Sequence, residues 1–203
     1  DPDSTPTGEI KTWKADFVIL CAGAWMAHLL RGLVQDPMVK PMRRQVAFCR
    51  ADDRDITDYG IVVDTNGVYF HAQNGNVTAG RALNDQPPGF QFEYDSDFFS
   101  TQIQPTLAAR STRMGAAQPI SGFSGLYSYT PDTSGILGWL PGFGKVIEAH
   151  SFTGRGVMQS YGAAVAVADL ITEGRFIHID AQGLTRDRFS APKATWLHES
   201  LHI

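Results

Sequence analysis

The sequence is poor in cysteine, in long apolar runs and in excess positive charge. Its two cysteines, Cys21 and Cys49, are too few for a disulfide framework and favour a reducing, cytoplasmic compartment. No run reaches the roughly 20 apolar residues that a membrane-spanning helix requires. The chain has 17 Lys and Arg residues and 21 Asp and Glu residues, so its net charge is −4 and it has no excess of positive charge. We therefore expect neither nucleic acid nor a membrane as a partner.

Several motifs of cofactor, metal and hydrolytic chemistry are also absent. Gly142-Phe-Gly144 lacks the third glycine of a dinucleotide-binding fingerprint, and there is no Walker loop. No HExxH motif or paired-cysteine spacing occurs, and the six histidines have no spacing typical of metal ligands. Gly122-Phe-Ser-Gly125 is one residue short of a nucleophile elbow. Metal sites and hydrolases are therefore disfavoured.

The first element that the sequence does contain is half of an α/β unit. Residues 15–21 are mostly apolar and predict a strand buried on both faces. Gly23 interrupts this run, and apolar residues near helical spacing then predict a helix over residues 24–33. Cys21 is interpreted as a small core residue, and neither it nor Cys49 is a good nucleophile candidate.

Between residues 37 and 124 the pattern is different. Asn74-Gly75 is a strong hairpin signal between two short runs. Residues 92–109 predict an amphipathic helix that Pro105 kinks or divides. Aromatic and β-branched runs predict strands over residues 43–50, 60–64, 67–72 and 76–81. Together these features indicate a mixed, mostly antiparallel sheet with a helix against it, an α+β arrangement.

After residue 124 the pattern returns to α/β. Short apolar segments over residues 125–130, 135–140 and 145–149 predict strands. A long apolar helix is predicted over residues 157–172, with Gly174 as its C-cap. The polar tail that follows is expected to lie on the surface.

Two strand-to-helix junctions contain small residues that would let a ligand approach the backbone. They are Cys21-Ala-Gly-Ala-Trp25 and Phe152-Thr-Gly-Arg-Gly-Val-Met158. A helix beginning near Gly154 would offer unpaired N–H groups and a partial positive charge to an anion. For either junction taken alone, tight packing of helix against sheet is the favoured explanation.

The order of three motifs resembles the C-terminal half of a D-amino-acid-oxidase-type flavoenzyme, the group of glycine oxidase, sarcosine oxidase and dimethylglycine dehydrogenase. The motifs begin at Asp16, Gly125 and Ser151, and the resemblance extends from Lys14 to Phe189. It implies α/β plus α+β architecture, in which a FAD-binding Rossmann-like domain is interrupted by a mixed, mostly antiparallel substrate-domain sheet. It assigns residues 1–36 and 125–175 to the FAD-binding domain, 37–124 to the substrate domain and 176–203 to a tail.

The resemblance also implies that a GxGxxG half is supplied from elsewhere. The family's first strand, its phosphate loop and its ribose-binding acid have no counterpart in the sequence. A strand over residues 17–20 is central in that fold, so without neighbours it would expose an edge and an apolar face. We therefore expect a split chain in a hetero-oligomer, with a second polypeptide that carries the dinucleotide-binding half.

The implied activity is oxidation of the C–N bond of an amine or amino acid, with hydride transfer to flavin N5 and an imine product. The cofactor that the resemblance implies is FAD. The backbone from Gly154 to Met158 would meet the negative charge of the reduced ring. The residues that the resemblance assigns to cofactor binding are Cys21, Ala22, Gly23, Ala24, Trp25, Asp132, Ile136, Gly154, Arg155, Gly156, Val157 and Met158.

The candidate catalytic residues are Tyr127, Arg155, Tyr69 and Arg81. Tyr127 stands where related amino-acid oxidases often have an arginine, and one hydroxyl recognises a carboxylate more weakly than a cationic fork. Arg155 is either a cation at the flavin or a surface residue. Arg81 either faces the substrate or forms a surface salt bridge. Tyr69 either faces the substrate or belongs to the core. The missing arginine keeps a non-catalytic assembly or binding protein as an alternative. A cofactor-free α+β binding domain is a third reading.

Overall fold

The computed structural model describes residues 8–9, 11–51, 60–83 and 85–199. These residues divide into two compact units. The first unit comprises the described residues up to Pro41 together with those from Tyr127 onward. The second unit comprises the described residues of Met42–Leu126.

The first unit is built on a three-stranded sheet with the order β1-β8-β7. Strand β1 (Val18–Leu20) runs parallel to β8 (Val146–His150), and β8 pairs antiparallel with β7 (Ile136–Trp139). Helix α4 (Gly156–Glu173) packs against this sheet. The residues buried between them include Leu137, Ile147, Ala166 and Leu170.

Strand β1 is the outermost strand of this sheet in the described part of the chain. The expectation that it is buried on both faces is wrong for this chain, because Val18 is 46% and Ile19 41% exposed. Strand β1 pairs with β8 along one edge, and the described residues include no strand that pairs with its other edge. Cys21 is exposed and not a core residue, since it follows the last residue of the strand.

The helix expected over residues 24–33 is much shorter. A 3-10 turn over Gly23–Trp25 leads into α1 (Met26–Leu29), and Leu30 is already the C-cap. Gly32 follows in the left-handed region with φ 81°, which a continuing α-helix does not allow. Met26 and Leu30 are fully buried, so this short segment is anchored by packing and not by its length.

Helix α4 confirms its prediction to within one residue at each end. It begins at Gly156 and ends at Glu173. Gly174 is the C-cap with φ 73°, and its N–H donates to Leu170 O at 3.2 Å. In the described part of the chain, no helix combines the length and apolar character that crossing a membrane requires.

The second unit contains a five-stranded sheet with the order β3-β4-β5-β2-β6. The β3–β4, β4–β5 and β5–β2 pairs are antiparallel, as the sequence predicts. Its strands are β2 (Lys40–Arg50), β3 (Val62–Val63), β4 (Val68–Gln73), β5 (Asn76–Arg81) and β6 (Gln118–Tyr129). The predicted hairpin is confirmed: Asn74 and Gly75 both have positive φ, 53° and 75°, which is the geometry of a type I′ turn.

The helical segment of the second unit starts later than expected: residues 92–97 are not helical, and the helix begins at residue 98. A π-helical turn over Phe99–Ile103 leads into α2 (Gln104–Arg110), and α3 (Thr112–Gly115) follows. Pro105 explains the π turn, since it has no N–H to donate to the carbonyl four residues before it. Apolar side chains of this segment pack against the sheet and form a core with it. The segment contributes Phe98, Ile103 and Leu107, and the sheet contributes Val68, Val77 and Ala79.

Most of the described tail is exposed, as expected, but part of it enters the core of the first unit. Ala181, Arg186 and Phe189 are buried. Phe189 packs with Met26 against the face of the sheet, and its ring meets Trp196 edge-on at 5.1 Å between centroids. These three residues belong to the core of the first unit, and two arginines of the tail reach the site described next.

Candidate functional site

Two strand-to-helix junctions leave the same edge of the first unit's sheet. Leu20 lies opposite Glu148 in the parallel β1–β8 pair, so the carboxyl ends of the two strands meet at one edge. Residues 21–25 follow β1, and residues 151–155 follow β8 and precede α4. Ligands of open α/β sheets bind outside the carboxyl ends of parallel strands. The structure thus brings together the two segments that the sequence predicts to bind a cofactor.

The first junction turns sharply at Gly23, which has φ 54°. Trp25 N donates to Ala22 O at 3.0 Å, and Ala24 is buried beneath the turn. Among the described atoms, none lies within 4 Å of the point where a Cβ on Gly23 would be. The backbone is consequently open to a ligand on this side.

The second junction holds three residues in the left-handed region. Ser151, Thr153 and Gly154 have φ of 61°, 49° and 81°. For β-branched Thr153 this conformation is a true outlier, and such backbone strain is concentrated at ligand sites. Thr153 Oγ1 donates to Ser151 O at 3.1 Å and lies 3.4 Å from Ser128 O. The turn is therefore fixed by side-chain hydrogen bonds to the backbone.

Helix α4 presents an N-terminus that suits an anion. Arg155 is its N-cap residue, and no side chain caps the helix. Its first turn, which includes Gly156, carries no acidic residue, and Val157 and Met158 are exposed. The first N–H groups of a helix and its dipole favour negative charge. Predicted cofactor contacts at this turn thus have a chemical basis.

The ring of Tyr127 lies directly against Gly154. A Cβ on Gly154 would come within 2.6 Å of Tyr127 Cζ and 2.8 Å of its hydroxyl oxygen. Arg155 is only 8% exposed, so the alternative that it is a surface cation is wrong. Its Nη2 donates to Thr133 O at 2.8 Å, and it lines a cavity of about 290 Å³ with tail residue His198. The structure therefore groups two of the four candidate catalytic residues at the start of α4.

Asp132 and Ile136 lie behind this edge, where both are fully buried. The Asp132 carboxylate accepts hydrogen bonds from Arg188 Nε at 2.7 Å and Nη2 at 3.0 Å, and from Ser134 N at 3.2 Å. Ile136 packs in the core with Phe189. Both side chains hold neighbouring segments in place, and their role in cofactor binding stays a prediction.

Tyr69 and Arg81 lie in the second unit, on opposite faces of its sheet. Tyr69 pairs with Gly80 and Arg81 with Val68, and side chains alternate between faces along a strand. The Tyr69 ring covers Gly80. Arg81 lies on the helix-covered face, where its Nη1 donates to Gln102 Oε1 at 3.3 Å. One ligand on one face of the sheet can therefore meet only one of these two residues.

A buried chain of polar side chains that the sequence analysis did not single out lies beside the strained turn. Arg186 Nε donates to Glu148 Oε1 at 2.8 Å, and Arg186 Nη2 contacts Oε2. His150 Nε2 lies 3.0 Å from Glu148 Oε2, and its Nδ1 lies 2.8 Å from Ser151 Oγ. All four residues are buried. The signal in the sequence was two polar residues, Glu148 and His150, in an otherwise apolar strand.

Protonation in this chain follows from burial and the ion pair. Burial lowers the pKa of His150, which outweighs the opposing hydrogen bond to Glu148. Burial alone would raise the pKa of Glu148, but hydrogen bonds from Arg186 and His150 hold it below its usual value. Glu148 is thus ionised and paired with Arg186, while His150 is neutral. By contrast, burial raises the pKa of the Cys49 thiol to about 12, so that cysteine is not a nucleophile.

Comparison with known proteins gives a consistent family and fold. The sequence model of the family described as FAD dependent oxidoreductase matches residues 3–170. The chain is 28% identical over 197 residues to the FAD-dependent oxidoreductase domain-containing protein 1 of Xenopus laevis, covering 89% of this chain and 40% of that protein. It is 25% identical to the Drosophila melanogaster homolog, over 90% of this chain and 38% of that one. The chain thus spans about two fifths of the length of these relatives.

Solved structures share its fold. L-proline dehydrogenase from P. horikoshii matches with a TM-score of 0.77 at 18% identity, covering 90% of this chain and 48% of that one. Glycine oxidase from Geobacillus kaustophilus matches with a TM-score of 0.71 at 23% identity, covering 85% and 46%. These matches confirm the predicted fold class, a mixed α/β and α+β chain of the FAD-binding type.

Proposed function

Because the chain belongs to the FAD-dependent oxidoreductase family, we propose that it forms the flavin-facing part of an enzyme that oxidises the C–N bond of an amine or amino acid. The cofactor of this family is FAD, as the sequence analysis expected. The chemistry that FAD supplies when bound is acceptance of a hydride at N5 from the carbon next to the substrate nitrogen, which leaves an imine. The observation that carries the proposal is the single sheet edge at which residues 21–25 and the uncapped start of α4 meet.

The residues at this edge fit a flavin. Reduction places negative charge on the ring, and the N–H groups of Gly156, Val157 and Met158 begin a helix whose first turn carries no acid. The Arg155 N–H is not part of this set, because it donates to Phe152 O at 3.0 Å. The open backbone at Gly23 suits a second close approach on the β1 side. We assign the α4 start to the ring and residues 21–25 to the rest of the cofactor. These assignments are supported by placement and by the chemistry of the groups.

Tyr127 is the residue that we assign to the substrate side. Its ring is held against Gly154, so its hydroxyl has a fixed position relative to the start of α4. A phenol offers one hydrogen bond where an arginine would offer a bidentate ionic contact. We therefore expect weak selection for a substrate carboxylate, and secondary amines belong in any substrate panel.

We further propose that a polypeptide segment carrying the GxGxxG half pairs along the free edge of β1. Val18 is 46% and Ile19 41% exposed, and an edge with apolar side chains that no described strand pairs with is a template for another strand. The span of the relatives, more than twice that of this chain, leaves room for such a segment. Copurification of a dinucleotide-binding polypeptide supports this proposal; a folded, monomeric chain that binds flavin by itself contradicts it.

The first experiment is the visible absorption spectrum of the protein purified with any complementary polypeptide. We expect a flavin spectrum, and bleaching under anaerobic conditions by at least one member of a panel of secondary amines and amino acids. Gly154→Ala should release most of the flavin, because a Cβ there strains a residue with φ 81° and displaces Tyr127.

Gly174→Ala is the matched control for this variant. Gly174 has a similar φ of 73° at the other end of α4, but open space surrounds its Cβ position. This control should retain the flavin, since it carries a comparable backbone strain away from the edge. Colourless protein with the complement present would contradict the proposed function, and so would equal flavin loss in the two variants.

A non-catalytic assembly or binding protein is the second candidate function. Tyr127, in place of a carboxylate-binding arginine, is the observation that favours it. The two candidates differ in one result: both bind flavin, but only the enzyme shows flavin bleaching by an amine or amino acid. Family membership argues against the cofactor-free binding domain.

A further inference from the structure

We propose that His150 is a positioning residue: by accepting a hydrogen bond from Ser151 it holds the left-handed turn that presents the start of α4. The inference rests on the proposed function, since it treats this turn as the seat of the flavin. It assigns a role to a buried polar chain that binds neither cofactor nor substrate directly.

The direction of each hydrogen bond in this chain is determined. The ionised Glu148 carboxylate can only accept, so His150 Nε2 must carry the proton that is donated to it. His150 is neutral because its burial disfavours the charged imidazolium and because Arg186 already pairs with Glu148. Its Nδ1 is consequently a bare acceptor, and the Ser151 hydroxyl donates to it over 2.8 Å.

Ser151 needs such a contact because its backbone conformation is unfavourable. A serine at φ 61° is strained where a glycine would not be. The hydroxyl bond to His150 orients the side chain of Ser151, and the carbonyl of Ser151 accepts from Thr153 Oγ1. Thr153, which is strained in the same way, leads directly to Gly154 beneath the Tyr127 ring. The contact with His150 therefore helps to fix the backbone that leads into the first residues of α4.

His150 is itself held from several sides. Glu148 precedes it by two residues on β8, and Arg186 of the tail anchors Glu148. Arg186 Nη1 also donates to Asp36 O at 3.1 Å and Pro37 O at 3.0 Å. The second tail arginine, Arg188, acts on the imidazole through its charge. These groups keep the imidazole in one place and in one tautomer, which a positioning role requires.

Amide hydrogen exchange of the peptide spanning residues 151–158 tests the proposal in the protein as it occurs, with any complement retained. His150→Leu should speed exchange there by about tenfold, because the strained turn opens once its anchor is lost. In a Ser151→Gly background the same change should alter exchange by less than about twofold, since glycine adopts this conformation without strain. The hairpin over residues 68–81 is the internal control and should not change.

Ser151→Ala is the second variant, and it leaves the imidazole and its bond to Glu148 in place. It should speed exchange about as much as His150→Leu, since it deletes only the hydroxyl donor. Equal effects of His150→Leu in both backgrounds would mean that the imidazole only fills space, and would overturn the inference. Native exchange in Ser151→Ala would overturn it as well. Flavin content, measured separately, decides the proposed function and leaves this comparison unchanged.

Discussion

Replacing Arg186 with methionine measures how much the buried ion pair with Glu148 contributes to the stability of the first unit. Arg186 is 9% exposed and Glu148 is fully buried. The substitution keeps the apolar stem but removes the bonds to Glu148 and to the carbonyls of Asp36 and Pro37. Removing one member of a buried ion pair costs about 3–5 kcal/mol, because the remaining charge has no counterion. We expect Arg186→Met to lower the free energy of unfolding by about that amount.

Urea denaturation followed by tryptophan fluorescence measures the effect. All four tryptophans lie outside Met42–Leu126, so the signal reports on the first unit. With a slope of about 2 kcal/mol per molar urea, the midpoint should fall by about 1.5–2.5 M. Arg110→Met is the matched control, since Arg110 binds Asp64 through Nε at 2.6 Å and Nη2 at 2.9 Å but is 64% exposed. Its midpoint, followed by circular dichroism, should not change measurably.

A second comparison tests the cause assigned to the loss. In Glu148→Gln combined with Arg186→Met, the carboxylate that Arg186→Met leaves unpaired is gone as well, so most of the lost stability should return. The reasoning is refuted if this double variant is no more stable than Arg186→Met alone. It is also refuted if Arg186→Met shifts its midpoint no further than the exposed control does.

Two further outcomes follow from other buried groups. The lowered pKa of His150 means that the unfolded chain binds a proton below about pH 6.5 that the native state excludes, so stability should fall on acidification. The melting temperature between pH 5 and 8 checks this, and His150→Leu should have a shallower slope; equal slopes would contradict it. Asp169→Ala should speed amide exchange over residues 175–180 and not in the 68–81 hairpin, because the Asp169 carboxylate accepts from the N–H groups of Ile177 and His178 at 2.8 Å. Unchanged exchange at 175–180 would show that this carboxylate does not hold the tail.

Elements set by local chemistry could be predicted from the sequence. Helix α4 has a continuous apolar pattern and a glycine C-cap, and the β4–β5 hairpin has an Asn-Gly turn. Both signals lie within a few residues of the structure that they specify. The two junctions were identified for the same reason, since Gly23 and Gly154 adopt conformations that favour glycine.

Features that depend on distant residues could not be predicted. The tail was expected on the surface because it is polar with scattered aromatic residues. The side chains of Arg186 and Arg188 are buried nevertheless, because their partners Glu148 and Asp132 lie in other segments of the chain. The apolar pattern of residues 15–21 indicated a strand buried on both faces, and only the resemblance, which makes this strand central in a larger sheet, led us to expect its exposure. Tyr69 and Arg81 lie on opposite faces of the sheet because of the register between β4 and β5, and composition does not reveal that register.

The parallel pairing of β1 with β8 has a consequence for how the chain folds. Val18 meets Val146 only after the whole second unit, which separates them in sequence, has been drawn into a closed loop. Closing so long a loop costs entropy before any contact is gained, whereas the β4–β5 hairpin closes over two residues. We expect the second unit to reach its native structure first and the edge formed by the carboxyl ends of β1 and β8 to assemble last. During synthesis, that edge would therefore be the last part of the protein to become resistant to proteases and the part most dependent on chaperones.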